Sequence, residues 1–219
     1  MQHWNEISLE GIGEEIKDIL YSYVKAESIT YSSGEKQAES FFLSYFKNQP
    51  YWQEHPECVG TKPIKDDPFD RAAAFAMVRG KGDKTIVFVH HNDVVTVEDY
   101  DRLRPLAFSP DELVAELKKR ADSFSEEIRN DLASDAYLYG RGVCDMKGGG
   151  SIQMALLRRY SELVRRSPEA LPGNLIVLAV PDEENLSAGM RAAVTLLAEL
   201  KAQYSFTYQL MINSEPHQR

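Results

Sequence analysis

At 219 residues the chain is long enough for one sizeable hydrophobic core or two small ones. Its composition, 43% hydrophobic and 27% charged with 13 Gly and 10 Pro, excludes collagen-like, low-complexity and largely disordered classes. A formal net charge of −9 argues against a protein built to neutralise nucleic-acid phosphates, and no apolar run approaches the roughly 18 residues of a membrane helix. Two cysteines, Cys58 and Cys144, make no disulfide framework and fit a reducing, cytoplasmic setting. The opening MQHWNEISLEGIGEEI lacks the basic-then-apolar pattern of a secretory signal.

Residues 9–25 carry Ile12, Ile16, Ile19, Leu20 and Tyr23 at helical spacing. A second helix is predicted to start after Ser32 or Ser33, where Ser followed by Glu35 reads as an N-terminal capping signal, and to stop before Pro50. Residues 71–79 and 84–91 read as strands joined by GKGD, a Gly-rich link of hairpin type. Residues 98–136 form a charged excursion with two helical stretches, DELVAELKKRA and SFSEEIRNDLA, read as a solvated insertion with a lid or oligomer contact as the alternative. A short segment, YLYGRG, follows. Helical patterns at 148–165 and 188–201 flank NLIVLAV (174–180), an unbroken apolar run that predicts a strand buried on both faces. Residues 206–213 read as a last strand. Strands alternating with helices predict an α/β fold, a sheet covered by helices on both faces.

In such sheets ligands collect beyond the carboxyl ends of the strands. There the sequence places His90-His91-Asn92-Asp93, then Cys144-Asp145 after YLYGRG, then Asp182-Glu183-Glu184, then Ser214-Glu215. One imidazole and several carboxylates suit a divalent cation with mixed N/O ligation, zinc above all. His91 and Asp93, two apart, project to one side in extended chain, so Asp93 can hold one ring nitrogen while the other binds metal; an incidental surface turn is the alternative. Asp145 reads equally as a residue at a helix N-terminus. Glu183 and Glu184 repel each other unless a cation or proton lies between them, although solvent-facing loops also carry such pairs.

Taken in order, HisxAsp, GlyArgGlyxxAspxLysGly, AspGluGlu and GluPro resemble the dinuclear zinc aminoacylase/carboxypeptidase family, which includes succinyl-diaminopimelate desuccinylase, acetylornithine deacetylase and glutamate carboxypeptidase. His91, Asp145, Glu184 and Glu215 follow one another at 54, 39 and 31 residues. The wording HisHisAsnAspValVal and AspGluGluAsnLeuSerAlaGly is most similar to the arginine-utilisation (RocB) branch. The resemblance implies a three-layer α/β/α zinc-exopeptidase-like domain with a mixed, mostly parallel sheet. By position, His91, Asp145 and Glu215 match ligands of a first metal, and Asp145 and Glu184 ligands of a second. Asp93 matches the carboxylate that orients His91, and Glu183 the general base. It further implies two Zn2+ ions, with Mn2+ or Co2+ as substitutes, and hydrolysis of amide bonds in small N-acyl amino acids or peptides by a metal-activated water. Expected partners are therefore a small-molecule or peptide substrate, with no nucleic acid and no membrane; self-association is left open. A non-catalytic binding or regulatory homologue that keeps the fold is the rival reading.

The pattern departs from the family in several places. The family's fifth ligand is a histidine far down a longer chain, whereas only His217 follows Glu215 here and its context differs. The small second domain of the family, which normally follows this point, is likewise expected to be absent from these residues. Residues 1–219 are accordingly expected to be the N-terminal part of a catalytic domain, with 97–140 an insertion and one complete metal site, inactive alone. His90 replaces the usual small residue and should face away from the site if its strand continues. His3 and His55 read as loop or surface residues, Cys144 as a small buried packing residue, and Gly148-Gly149-Gly150 as a helix start packed closely on the sheet rather than a phosphate loop.

Overall fold

The computed structural model describes residues 7–216, so His3 and His217 lie outside the described residues. Five strands, β1 (Val59–Pro63), β2 (Ala72–Arg79), β3 (Lys84–His91), β4 (Asn174–Val180) and β5 (Thr207–Asn213), form one mixed sheet in the order β1-β2-β4-β3-β5. Only β2 runs against the others. The helices are α1 (Ile12–Val24), α2 (Glu35–Lys47), α3 (Pro50–Glu54), α4 (Pro110–Lys119), α5 (Glu126–Ser134), α6 (Gly149–Arg166) and α7 (Ala188–Tyr204).

All seven residues of β4 are buried, as its unbroken apolar run requires of a central strand. The connection β3–α6–β4 steps one way across the sheet and β4–α7–β5 steps back past β3. Right-handed crossovers therefore put α6 and α7 on opposite faces. Helices α1 and α3 pack with α6, α2 packs on α1, α3, β1 and β2, and α7 lies on β1, β2 and β4. The expected α/β layering holds, and one core runs from Tyr23, Phe42, Phe46 and Trp52 through the sheet to Leu196 and Leu200.

Several local expectations are corrected. The GKGD link does not make a hairpin: β4 lies between β2 and β3, and residues 80–83 bridge its start through Gly80 N–H to Gly173 O and Lys81 N–H to Leu171 O. The most apolar strand takes the centre, where both faces are covered. YLYGRG is an irregular turn rather than a strand end. The capping signal of α2 is half realised. Glu35 reaches back to the Ser32 N–H, but the Ser32 hydroxyl takes the Gly34 N–H and the cap residue is Gly34 itself. Strand β1, with alternating burial along VGTKP, had no counterpart among the predicted elements. The two helices expected in the charged insertion form as α4 and α5, behind a run of tight turns at Glu98–Leu106. Among the described residues no helix is long and apolar enough to cross a membrane.

Candidate metal centre

Parallel pairing of β3 with both β4 and β5 brings three carboxyl ends together, with His91 opposite Val180 and Val89 opposite Asn213. Beyond His91 the chain is held by Asn92 N–H to Val180 O, by Val94 N–H to Ser28 O, and by the Ser28 hydroxyl to Asn92 O at 2.6 Å. Asp145 comes from the tight turn Val143–Gly148 that precedes α6, where the Asp145–Met146 peptide is cis. That turn can come close because α6 begins with glycines: a Cβ on Gly149 would lie 2.6 Å from Ser214 O, and one on Gly150 would lie 2.5 Å from the His90 ring. The expected close packing of the glycine triplet is thus present.

The His91 side chain is 1% exposed, and its ring nitrogens are both engaged. Nε2 lies 2.9 Å from Asp145 Oδ1, 3.8 Å from Glu215 Oε1 and 4.0 Å from Glu183 Oε2. Nδ1 faces Asp93 twice, the main-chain carbonyl at 3.0 Å and the carboxylate at 3.5 Å. The Asp93 carboxylate also accepts the main-chain N–H groups of Glu183 and Glu184, each at 3.1 Å. Single donor atoms of His91, Glu183 and Glu184, and of His91, Asp145 and Glu215, each lie within 4.8 Å of one another. Donors bonded to one zinc at about 2.0–2.2 Å stand roughly 3.3–3.6 Å apart. The separations around Nε2 bracket that range, and an imidazole among carboxylates is the donor chemistry a divalent cation takes.

The electrostatics agree. Burial alone would push the His91 imidazole down, but the Asp93 contact and the charges of Asp93, Asp145 and Glu183 outweigh it and raise the group to about 9. Glu184 and Glu215 are both raised, first by burial and then by Asp145 and their carboxylate neighbours. Five carboxylates around one imidazole leave an excess of negative charge for cations to offset.

The other residues singled out in the sequence take bland places. His90 faces away from the centre as β3 continues through His91. It is buried between Tyr23 OH, 3.2 Å from Nε2, and Gln153 Oε1, 2.9 Å from Nδ1, and burial lowers it to about 4. His55 is exposed beyond α3. Cys144 is exposed, which corrects the buried packing role, because the tight turn that presents Asp145 also turns its neighbour outward. No local pattern in the sequence marks Lys147 as a core residue. It is fully buried, donates to Ala26 O at 2.7 Å and lies over the Tyr23 ring. Nor does any local pattern mark Arg71, Glu35 and Asp182, which meet behind the Glu183 loop from positions far apart in the chain.

Residues 124–219 match the model of Peptidase family M20/M25/M40. Over those residues the chain is similar to the M20 peptidases. It is 35% identical over 204 residues to the uncharacterized protein YqjN of Bacillus subtilis (strain 168), covering 93% of this chain and 36% of that protein. It is 31% identical over 214 residues to protein RocB of the same organism, covering 97% of this chain and 37% of RocB. The chain thus spans little more than a third of the length of these curated relatives. Among solved structures it is similar to human carnosine dipeptidase 1, with a TM-score of 0.58 at 17% identity over 95% of this chain and 40% of that one. It is also similar to the M20 family metallo-carboxypeptidase Sso-CP2 from Sulfolobus solfataricus, with a TM-score of 0.53 at 16% identity over 91% of this chain and 37% of that one. At those identities the structures show a shared fold. The resemblance read from the four motifs, including its RocB branch, holds.

Proposed function

We propose that these residues carry the metal-binding part of an M20-type amide hydrolase acting on small N-acyl amino acids or peptides. The single observation behind this reading is the buried His91 Nε2, set among Asp145, Glu215 and Glu183 at 2.9–4.0 Å. His91, Asp145 and Glu215 would hold one divalent ion, with Zn2+ first and Mn2+ or Co2+ as substitutes, and Asp145 and Glu184 would contribute to a second. Bound there, such ions supply Lewis acidity, lowering the pKa of water and polarising the scissile carbonyl.

The chain's own residues have separable tasks. Asp93 fixes the His91 ring and, through two main-chain N–H groups, the start of the Glu183 loop. Glu183, half-exposed beside the imidazole, would take a proton from the attacking water and return it to the leaving amine. The RocB-like wording around His91 and Glu183 supports an arginine-utilisation compound as substrate, the sparse cysteine usage supports a cytoplasmic setting, and turnover is proposed for a chain of the relatives' length rather than for these 219 residues alone.

The test is bound metal per chain by elemental analysis, after purification without chelator, in the wild type and Glu215→Ala. About one zinc or manganese per chain, lost in the variant, supports the reading. No metal in either this chain or one of the relatives' length would overturn it. In the longer chain, metal retained without hydrolysis of any N-acyl amino acid would favour a binding homologue.

A further inference from the structure

Behind the Glu183-Glu184 pair lies a buried charge cluster that the metal reading does not use. Arg71 stands just before β2 and is 2% exposed. Its Nη1 donates to Glu35 Oε1 at 2.6 Å and to Asp182 Oδ1 at 2.8 Å, while Nε and Nη2 grip Asp67. The Tyr31 and Phe69 rings flank the guanidinium at 5.4 and 5.5 Å. Every edge of the guanidinium fork is thereby occupied, which a lysine's point charge could not reproduce.

What this cluster holds is Asp182, the residue before Glu183. Asp182 adopts a left-handed backbone, φ +68°, costly for a residue with a Cβ unless its surroundings impose it. Those surroundings use every polar atom it has. Its N–H donates to Glu35 Oε2 at 2.7 Å; Oδ1 accepts from Arg71 and Asn185, and Oδ2 from the Ala188 N–H. Its carbonyl accepts from the Asn185 and Ser187 N–H groups. The turn after β4 is thus fixed on one side by Arg71 and Glu35 and on the other by Asp93. Between these two anchors sit the two adjacent glutamates that must serve different tasks.

We propose that Arg71, acting through Glu35 and Asp182, is a positioning residue that sets where Glu183 and Glu184 stand relative to His91. The proposal rests on the metal reading for its consequence but not for its geometry. Without the fork, Asp182 relaxes from its left-handed conformation and the two glutamates lose their fixed separation from the imidazole.

Arg71→Lys keeps the charge and removes the fork, and Asp182→Asn serves as a second variant should the first fail to fold. In the metal-free chain the Glu183 and Glu184 amides of either variant should exchange with solvent at least about tenfold faster than in the wild type, while the amides of β4 exchange as before. In titrations with Mn2+ or Zn2+, binding that depends on Glu184 should weaken about 10–100-fold, and binding lost in Glu215→Ala should stay within about twofold of the wild type. Unchanged exchange at 183–184, or exchange raised equally along β4, overturns the proposal. So does an unaltered titration. A wild-type chain that takes up no metal removes the proposed function, yet the exchange measurement still decides whether Arg71 positions the pair.

Discussion

Asp93 Oδ1 accepts the main-chain N–H of Glu183 at 3.1 Å, so the carboxylate beside the histidine is also an anchor of the loop carrying the proposed base. Its other oxygen takes the Glu184 N–H. Asp93→Asn keeps the shape but turns an NH2 group towards one of those donors. We expect a loss of about 1–3 kcal/mol in urea unfolding, the cost of a buried group left unsatisfied. The same variant should lower the His91 pKa, readable by NMR of the imidazole in metal-free protein. An unfolding midpoint equal to wild type would show that the two N–H groups do not need the carboxylate.

A similar link runs from α6. Gln153 Nε2 donates to Val89 O at 2.9 Å and to the Ser214 hydroxyl at 2.8 Å, while its oxygen faces His90 Nδ1. With the amide hydrogens spent in this way, His90 carries its proton on Nδ1 and accepts from Tyr23 at Nε2. Gln153→Leu should destabilise by about 1–3 kcal/mol through the stranded His90 and Val89 partners. Because Ser214 precedes Glu215, metal affinity should fall with it. Calorimetric titration beside thermal unfolding would separate the two losses.

Gly150→Ala sets two effects against each other. Within a helix, alanine is favoured over glycine by about 1 kcal/mol. Here the new Cβ would meet the buried His90 ring at 2.5 Å, and that ring is held at both nitrogens. Overpacking of this kind costs about 1–3 kcal/mol, so the variant should be less stable than wild type. A gain in melting temperature would mean that the ring can move.

Lys147 gives a pH signature. Burial lowers its ammonium to about 7 although Asp93 pulls the other way; Tyr23, Phe108 and the Ala26 carbonyl make up its surroundings. The unfolded chain then binds more protons than the folded one between about pH 7 and 10, the ordinary lysine range, so this group adds stability as pH rises through that window. His91, raised to about 9, acts in the opposite sense: its contribution is complete below about 6.5 and is lost as pH climbs through 9. Comparing urea midpoints of wild type and Lys147→Met at pH 7 and 9.5 cancels the His91 part. The wild type should gain on the variant at the higher pH, and a constant difference would contradict the buried ammonium.

How much of this was legible in the sequence depended on distance along the chain. The seven apolar residues of β4 announce a central strand by themselves, and His91, Asp145, Glu184 and Glu215 are visible because each follows a readable strand or motif. Arg71 was not, since its partners Glu35 and Asp182 lie 36 and 111 residues away and no local pattern couples them. The GKGD link misled for the same reason: turn chemistry is local, whereas the choice of neighbour for β3 is made by a strand far downstream. Cys144 was misplaced because exposure in an irregular turn follows no period.

The strand order has a bearing on how the chain reaches this state. Asn174 closes on Gly82 and Lys84 by donating to both carbonyls, a contact 90 residues distant from Lys84. Until it forms, β2 and β3 leave the ribosome side by side with a short glycine link between them, free to zip into a ribbon that the finished sheet forbids. Such a ribbon is quick to close and must be reopened before the centre can be filled, while the correct pairing must first close a long loop. The slot between β2 and β3 is therefore a place where a nascent chain can stall, and any agent that keeps it open would speed maturation.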